Sequence, residues 1–183
     1  MAEFARKLDD LKNIHEKDRY NTIETIVTLA EAAGYTIADV DAIRPWGGFV
    51  RFDYKDADTF VSEFFPDLSS SEARLGKPGA ELSPKILLVS PHQRLSWQVH
   101  KRRAERWVFL SDGYYYKSTD ADNPGELVAA SAGDVVQFEA GECHRLVGGK
   151  DDFTLVAEIW QHTDPQNPSD EEDIIRLQDD YKR

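Results

Sequence analysis

Four side chains in this sequence carry donor atoms at spacings that suit a metal ion. Gln98 and His100 stand two apart in LSWQVHKRRAERWVFLSDG, residues 95–113. Glu105 follows a tight KRRA turn, and His144 ends the later stretch EAGECH. In an extended strand, residues two apart face the same side, so Gln98 and His100 project together. An amide oxygen, two imidazoles and a carboxylate suit one borderline divalent cation, zinc foremost, with manganese, iron, cobalt and nickel as alternatives. Four protein ligands leave one or two positions open for water or substrate, as a catalytic site requires. The plain alternative is a polar cross-strand cluster without metal, because a lone strand histidine is commonly a satisfied structural group.

Those residues need strands to hold them. From Lys85 onward short apolar runs recur: KILLVS, LSWQVH, ERWVFLS, GYYYKS, ELVAAS, DVVQFEA, HRLVGG and FTLVAEIWQ, punctuated by Pro, Gly, Asp or Asn. Many short, evenly spaced strands predict an antiparallel sandwich or barrel. The first forty residues read as helical instead. NTIETIVTLAEAAG has Asn21 at an N-cap position and Glu24 three residues on. Ile23, Ile26, Val27 and Ala30 follow at helical spacing, with Gly34 as the stop. Arg44-Pro45 breaks any helix, Gly47-Gly48 turns, and the residues after them alternate as a strand. DADTFVSEFFP predicts a short helix closed by Pro66, and DLSSSEARLGKPGAELS a polar loop. The tail DPQNPSDEEDIIRLQDDYKR reads as a linker and a short amphipathic helix, capped by Ser169, with Ile174, Ile175 and Leu177 as its apolar stripe. The acidic run PSDEED is read as solvated cap chemistry. The expected division is a helical extension at 1–43 and a β domain at 44–183.

The 183 residues suit one domain, and 40% hydrophobic and 11% aromatic residues supply a single core. A formal net charge of -12 argues against nucleic acid or anionic membrane as partner, because both repel an acidic surface. It leaves room for a small anionic substrate in a locally basic pocket. The single cysteine, Cys143, excludes an intrachain disulfide and fits a reducing cytoplasm. It precedes His144 and so points away from that ligand, as a small buried hydrophobe. Trp97 is likewise out of phase with the ligands and should pack outside the barrel. MAEFARKLDDLKNIHEKD has no apolar signal region, and no run approaches the roughly 18 apolar residues of a membrane span. The expectation is a soluble cytoplasmic protein.

The pattern Q-x-H-x4-E-x7-G, followed by GDVVQFEAGECH, resembles the two motifs of the cupin family, with Gly133, Gly141 and His144 at the second motif's spacings. The segment at 95–113 is similar to the "LSLQ-x-H…RAEHW…V-x-G" stretch of type II phosphomannose isomerases, which also form the isomerase half of bifunctional mannose-1-phosphate guanylyltransferase/isomerases. RPWGGF at 44–49 resembles that family's "RPWG-x-Y", and EEDIIRLQDDYKR at 171–183 resembles its ending. The resemblance covers 44–183. It implies a mostly β protein, a cupin jelly-roll barrel (a double-stranded β-helix), with an N-terminal helical extension and a short C-terminal helix. It implies a ligand set of Gln98, His100, Glu105 and His144, and a homodimer. The family's HHHRAEHW is here HKRRAERW, with Lys101, Arg102 and Arg106 at altered positions. Its PAGT is EAGE, with Glu139 and Glu142. The sequence holds no Gly-rich nucleotide loop.

Such isomerases move a proton between adjacent carbons through an enediolate. A metal polarises the oxygens as a Lewis acid, a base reaches both carbons, and fixed cations hold a phosphate. The implied substrate is a small-molecule sugar or sugar phosphate, with interconversion of mannose 6-phosphate and fructose 6-phosphate. Candidate catalytic residues are Lys85, Glu139 and Arg145. Arg44, Trp46 and Arg176 are candidates for the substrate. The base stays open among Glu139, Lys85 and a metal-bound hydroxide. Arg145 directly follows a ligand, so alternation could equally turn it away, and each cation is equally readable as half of a surface ion pair. Two other readings remain: an isomerase of a free aldose such as lyxose or mannose, and a metal-containing cupin that only binds a sugar.

Overall fold

Apolar residues three and four apart build the helices that cover one side of the molecule. The computed structural model describes residues 3–11 and 18–182. Helix α1 (Glu3–Asp10) buries Phe4 and Leu8, α2 (Arg19–Ala32) buries Ile23, Ile26 and Ala30, and α3 (Ala57–Phe64) buries Phe60, Val61 and Phe64. The N-cap of α2 is Asp18, not Asn21; its carboxylate accepts from the Tyr20 backbone N–H at 3.2 Å. Gly34, at φ +91°, ends that helix as the pattern predicts. A short helix α4 (Ser70–Ala73), opened by a Ser69–Glu72 capping box, interrupts the stretch expected to be loop. Residues 12–17 of the expected helical extension lie outside the described residues.

The strands are β1 (Ile37–Asp41), β2 (Gly47–Phe52), β3 (Lys85–Val89), β4 (Trp97–Val99), β5 (Arg103–Phe109) and β6 (Gly113–Ser118). They continue with β7 (Val128–Ala130), β8 (Val135–Phe138), β9 (Cys143–Val147), β10 (Thr154–His162) and β11 (Ile175–Gln178). They form a six-stranded sheet, β1-β2-β3-β10-β5-β8, and a five-stranded sheet, β11-β4-β9-β6-β7. Neighbours pair antiparallel throughout. This is the mostly β, cupin-type barrel that the motifs imply, with helices at its N-terminal side.

Alternation along the strands separates two cores. On β10, Leu155, Ala157 and Ile159 pack with the helices, together with Val50 and Phe52 of β2 and Ile86 and Leu88 of β3. Val156 faces the interior between the sheets, with Trp107, Phe109, Phe138 and Leu146. Covered on both faces, β10 is buried at all nine positions, which explains why FTLVAEIWQ reads as a nearly continuous apolar run. Among the described residues no helix is long and apolar enough to cross a membrane.

Two further elements differ from expectation. Residues 37–41, placed in the helical extension, form β1, which pairs with β2 across the expected boundary at 43–44. The C-terminal helix is absent: Ile175–Gln178 is β11, paired antiparallel with β4, Ile175 opposite Val99 and Arg176 opposite Gln98. Ile175 and Leu177 are exposed and make no buried stripe. The open edge of β4 offers unpaired backbone groups, and pairing there outweighs the modest local preference for a helix.

Candidate metal centre

Two sheets supply the four candidate ligands. Gln98 lies on β4 and pairs with His144 on β9, while His100 follows β4 and Glu105 sits on β5 in the opposite sheet. All four are buried. His100, Glu105 and His144 bring one ligand atom each to within 4.8 Å of one another. His100 Nε2 lies 3.2 Å from Glu105 Oε1, and His144 Nε2 lies 3.2 Å from Glu105 Oε2. The Gln98 amide nitrogen is 3.4 Å from His100 Nε2 and 3.5 Å from His144 Nε2, and its Oε1 accepts from Ser96 Oγ at 2.8 Å. A half-turn of that amide gives its oxygen to the cluster and its NH2 to Ser96 Oγ, which can accept.

The arrangement fits a divalent cation. Each histidine pairs its far nitrogen with a backbone carbonyl, His100 Nδ1 with Asp173 O and His144 Nδ1 with Glu142 O at 3.2 Å. With Nδ1 donating, both Nε2 lone pairs face the shared point, the usual device for orienting metal-binding imidazoles. Burial pushes the His100 imidazole down to about 4, against the pull of Glu105, so it is neutral at physiological pH and able to ligate. Burial pushes the Glu105 carboxyl up, but its contacts with His100, His144 and the Arg103 guanidinium outweigh that and hold it well below the usual range. Glu105 Oε2 is buried without a hydrogen-bond partner among the described residues. A buried carboxylate oxygen left in this state is costly, and a cation relieves it.

The tail explains the crowded KRRA turn. Asp173 accepts from the backbone N–H groups of Lys101 and Arg102 at 3.1 and 2.9 Å and from Ser169 Oγ at 2.7 Å. Arg102 pairs with Asp170 at 2.8 Å. The acidic run thus caps a turn, and through the Asp173 carbonyl it also sets the His100 ring.

A cavity of about 110 Å³ opens beside the cluster. Gln98, Arg103, Glu105 and Glu158 line it on one side, and Trp46, Phe49 and Trp160 give it an aromatic wall. Gly47 holds that wall in place: at φ +152°, a Cβ there would sit 1.9 Å from the Leu88 carbonyl oxygen, so only glycine lets the chain pass. Lys85, Arg44 and Arg176 also line the cavity. Lys85 is buried, with Nζ 3.6 Å from the Trp160 ring centre and 3.0 Å from Glu171, whose side chain is 72% exposed. That pair therefore runs from the cavity wall to solvent. Larger depressions among the described residues, of about 290, 450 and 930 Å³, lie away from the cluster and contain none of its ligands.

The candidates therefore separate. The four candidate ligands converge, and Lys85, Arg44, Trp46 and Arg176 share the cavity beside them. Glu139 and Arg145 do not. Glu139 is exposed in the turn before β9, where its backbone N–H donates to Glu142 at 2.8 Å. Arg145 is turned away from the His144 side of β9 by strand alternation, and its guanidinium donates to the Gln178 carbonyl at 3.1 Å. Trp97 and Cys143 are buried; the Trp97 indole N–H reaches the Ala121 carbonyl at 2.8 Å.

Two cavity residues are new. Glu158, on β10, accepts the indole N–H of Trp107 at 2.9 Å on one oxygen and that of Trp160 at 3.1 Å on the other. Burial first, then the charge of Glu105, push its carboxyl up to about 8, against Lys85 and Arg103. Its sequence signal was an acid inside the apolar run FTLVAEIWQ, a placement that costs heavily unless the group is partnered. Arg103 was assigned to the turn, yet it opens β5 two residues before Glu105, and period-two alternation already puts both on one face.

No family model matches the chain. Over 177 residues it is 24% identical to the Xanthan biosynthesis protein XanB of Xanthomonas campestris pv. campestris, in an alignment covering 96% of this chain and 31% of that protein. The chain thus spans about a third of the curated relatives it matches. The capsular polysaccharide assembling protein CapF of Staphylococcus aureus superposes with a TM-score of 0.51 at 16% identity, over 92% of this chain and 39% of that one. A second crystal form of CapF gives 0.50 at 13% identity. At such identities the likeness shows a shared fold.

Proposed function

We propose that this chain is a metal-dependent aldose–ketose isomerase of a sugar phosphate, with mannose 6-phosphate and fructose 6-phosphate as the pair. The observation that carries the reading is a buried Gln98–His100–Glu105–His144 donor set beside a cavity that also holds a separate carboxyl, Glu158, and four cations. Similarity to a protein named for xanthan biosynthesis supports sugar chemistry, over the third of that protein which the chain spans. The four ligands would hold one divalent ion, zinc foremost, whose Lewis acidity polarises two adjacent substrate oxygens.

The chain's own residues do the rest. Glu158 takes the proton from one carbon and returns it to the next. Its raised affinity for a proton suits it to both halves of the transfer. The indoles of Trp107 and Trp160 fix the direction of its oxygens. Trp46, Phe49 and Trp160 exclude water from the reacting carbons. Lys85, Arg44 and Arg176 receive the anionic group at the mouth, where Glu171 now occupies Lys85. The cavity is smaller than the roughly 300 Å³ at which ligand pockets begin, so Glu171 has to swing out for a hexose phosphate to enter.

The test is hydrogen exchange. Metal-loaded protein is incubated in deuterated water with a panel of aldoses and aldose phosphates, and deuterium at C2 is read by NMR. Exchange with mannose 6-phosphate and not with mannose supports the proposal. Exchange only with free aldoses moves the reading to a lyxose- or mannose-type isomerase, and saturable binding with no exchange leaves a sugar-binding cupin.

A further inference from the structure

Arg103 reaches two of the four candidate ligands. Its side chain is 4% exposed, and all three guanidinium nitrogens are engaged. Nε donates to Glu105 Oε1 at 2.8 Å, Nη1 to Ser169 Oγ at 2.8 Å and to the Asp170 carbonyl at 3.0 Å, and Nη2 reaches His100 Nε2 at 3.2 Å. The plane stacks on Trp160, with Cζ 3.6 Å from the ring centre. Of these contacts one is incompatible with a bound cation. An imidazole has a single lone pair once its other nitrogen donates, and His100 Nδ1 is committed to the Asp173 carbonyl. His100 Nε2 therefore serves either the guanidinium or a metal. The contacts from Nε and Nη1 touch neither Glu105 Oε2 nor His144 Nε2, but the guanidinium is one rigid plane, so Nη2 leaves His100 only if the whole fork shifts.

We propose, resting on the metal-site reading, that Arg103 is a built-in stand-in for the metal. In the metal-free protein its planar fork spans the two ligand atoms that would otherwise be least tolerable together, a buried carboxylate oxygen and an imidazole lone pair. With an ion on those ligands the fork has to shift as a unit, still over the Trp160 ring, and Nη2, released from His100, is a donor for a substrate oxygen in the cavity that Arg103 lines. Only arginine does this, because one rigid fork reaches Glu105, His100 and Ser169 at once. The arrangement keeps the ligands gathered before loading, at the cost of weaker metal binding. Arg103 also ties Ser169 and Asp170 of the tail, so the same contact links metal loading to the segment that bears Glu171.

A positioning role alone predicts the opposite sign, and that makes the test sharp. Losing an outer partner that merely orients a ligand weakens metal binding about 10–100-fold. Losing a competitor tightens it. Wild type, Arg103→Lys and Ser169→Ala are stripped of metal, and Zn2+ affinity is measured by competition with a chromophoric chelator. Melting is followed with and without Zn2+. The proposal expects Arg103→Lys to bind Zn2+ about tenfold more tightly, the worth of one charge-assisted hydrogen bond. Its metal-free melting temperature should fall, so the gap between metal-free and loaded forms widens. Ser169→Ala loosens the fork and also removes a donor to Asp173, a loss that, acting through His100, would only weaken Zn2+ binding; the proposal still expects net tightening, smaller than in Arg103→Lys, and this decides the matter if Arg103→Lys does not fold. Unchanged or weaker Zn2+ binding in the variants overturns the proposal. Wild-type protein that takes up no Zn2+ at one equivalent overturns instead the metal-site reading beneath it.

Discussion

Replacing Glu158 by glutamine isolates the group on which the proposed proton transfer depends. The carboxyl is buried, and the charged groups facing it are Lys85 from β3 and Arg103 and Glu105 from β5. Burial and Glu105 raise it from the usual 4.5 to about 8. Between those values the folded protein holds a proton that the unfolded chain has released, so stability falls as pH rises. At about 1.4 kcal/mol per unit the loss across the window reaches about 5 kcal/mol. Glutamine keeps the volume and removes the titration. It also turns an NH2 toward one of the two indole N–H groups, a pH-independent loss of about 1–3 kcal/mol. The two effects cross. In metal-free protein with chelator present, Glu158→Gln should be less stable than wild type at pH 5 and at least as stable at pH 8, read from urea unfolding in half-unit steps. His100, lowered to about 4, contributes the opposite slope between about 4 and 6.5, and this cancels in the difference between the two proteins. Zn2+ should flatten the wild-type slope, because a nearby dication favours the charged carboxyl. Parallel pH curves for wild type and variant would refute the buried, proton-holding Glu158 and with it the choice of base.

Three further outcomes follow from the geometry. Glu105→Gln or His144→Ala should lower metal content from one ion per chain towards none, by elemental analysis after dialysis, and should weaken affinity by more than the roughly 100-fold that an outer partner can cost. Lys85→Met should raise the dissociation constant for a sugar phosphate at least tenfold by calorimetry and leave a neutral sugar nearly unaffected, while Arg145→Met, whose guanidinium sits on the Gln178 carbonyl, should change neither. Phe60→Ala empties the centre of the aromatic cluster with Tyr35, Phe52 and Phe64, so denaturant unfolding should show a loss of about 3–5 kcal/mol with the metal site's affinity unchanged.

The convergence of the ligands was legible because strand alternation is a local rule. Gln98 and His100 share a face by spacing alone, and the turn before Glu105 returns the chain to the same interior. The same rule already contained the answer for Arg145 and Arg103, one beside a ligand and facing away, the other two residues from a ligand and facing in. What alternation cannot say is which elements meet. Glu139 and Glu158 are both acids at or near strands, and the first is exposed in a turn while the second is sealed between two indoles from β5 and β10.

By itself the sequence determined a β-rich barrel after Lys85, helices before it, and a set of nitrogen and oxygen donors fit for a divalent cation. These follow from periodicity and from the chemistry of side chains, both of which are properties of the chain taken a few residues at a time. Only the tertiary structure decided that the tail is a strand, because the open edge of β4 is nowhere visible in the tail's own residues. Only it decided that Glu158 is buried between two indoles and that Arg103 lies against Glu105 and His100. A carboxyl's affinity for a proton and a guanidinium's choice of partner are set by burial and by charges brought from distant segments, and distance along the chain carries no record of either.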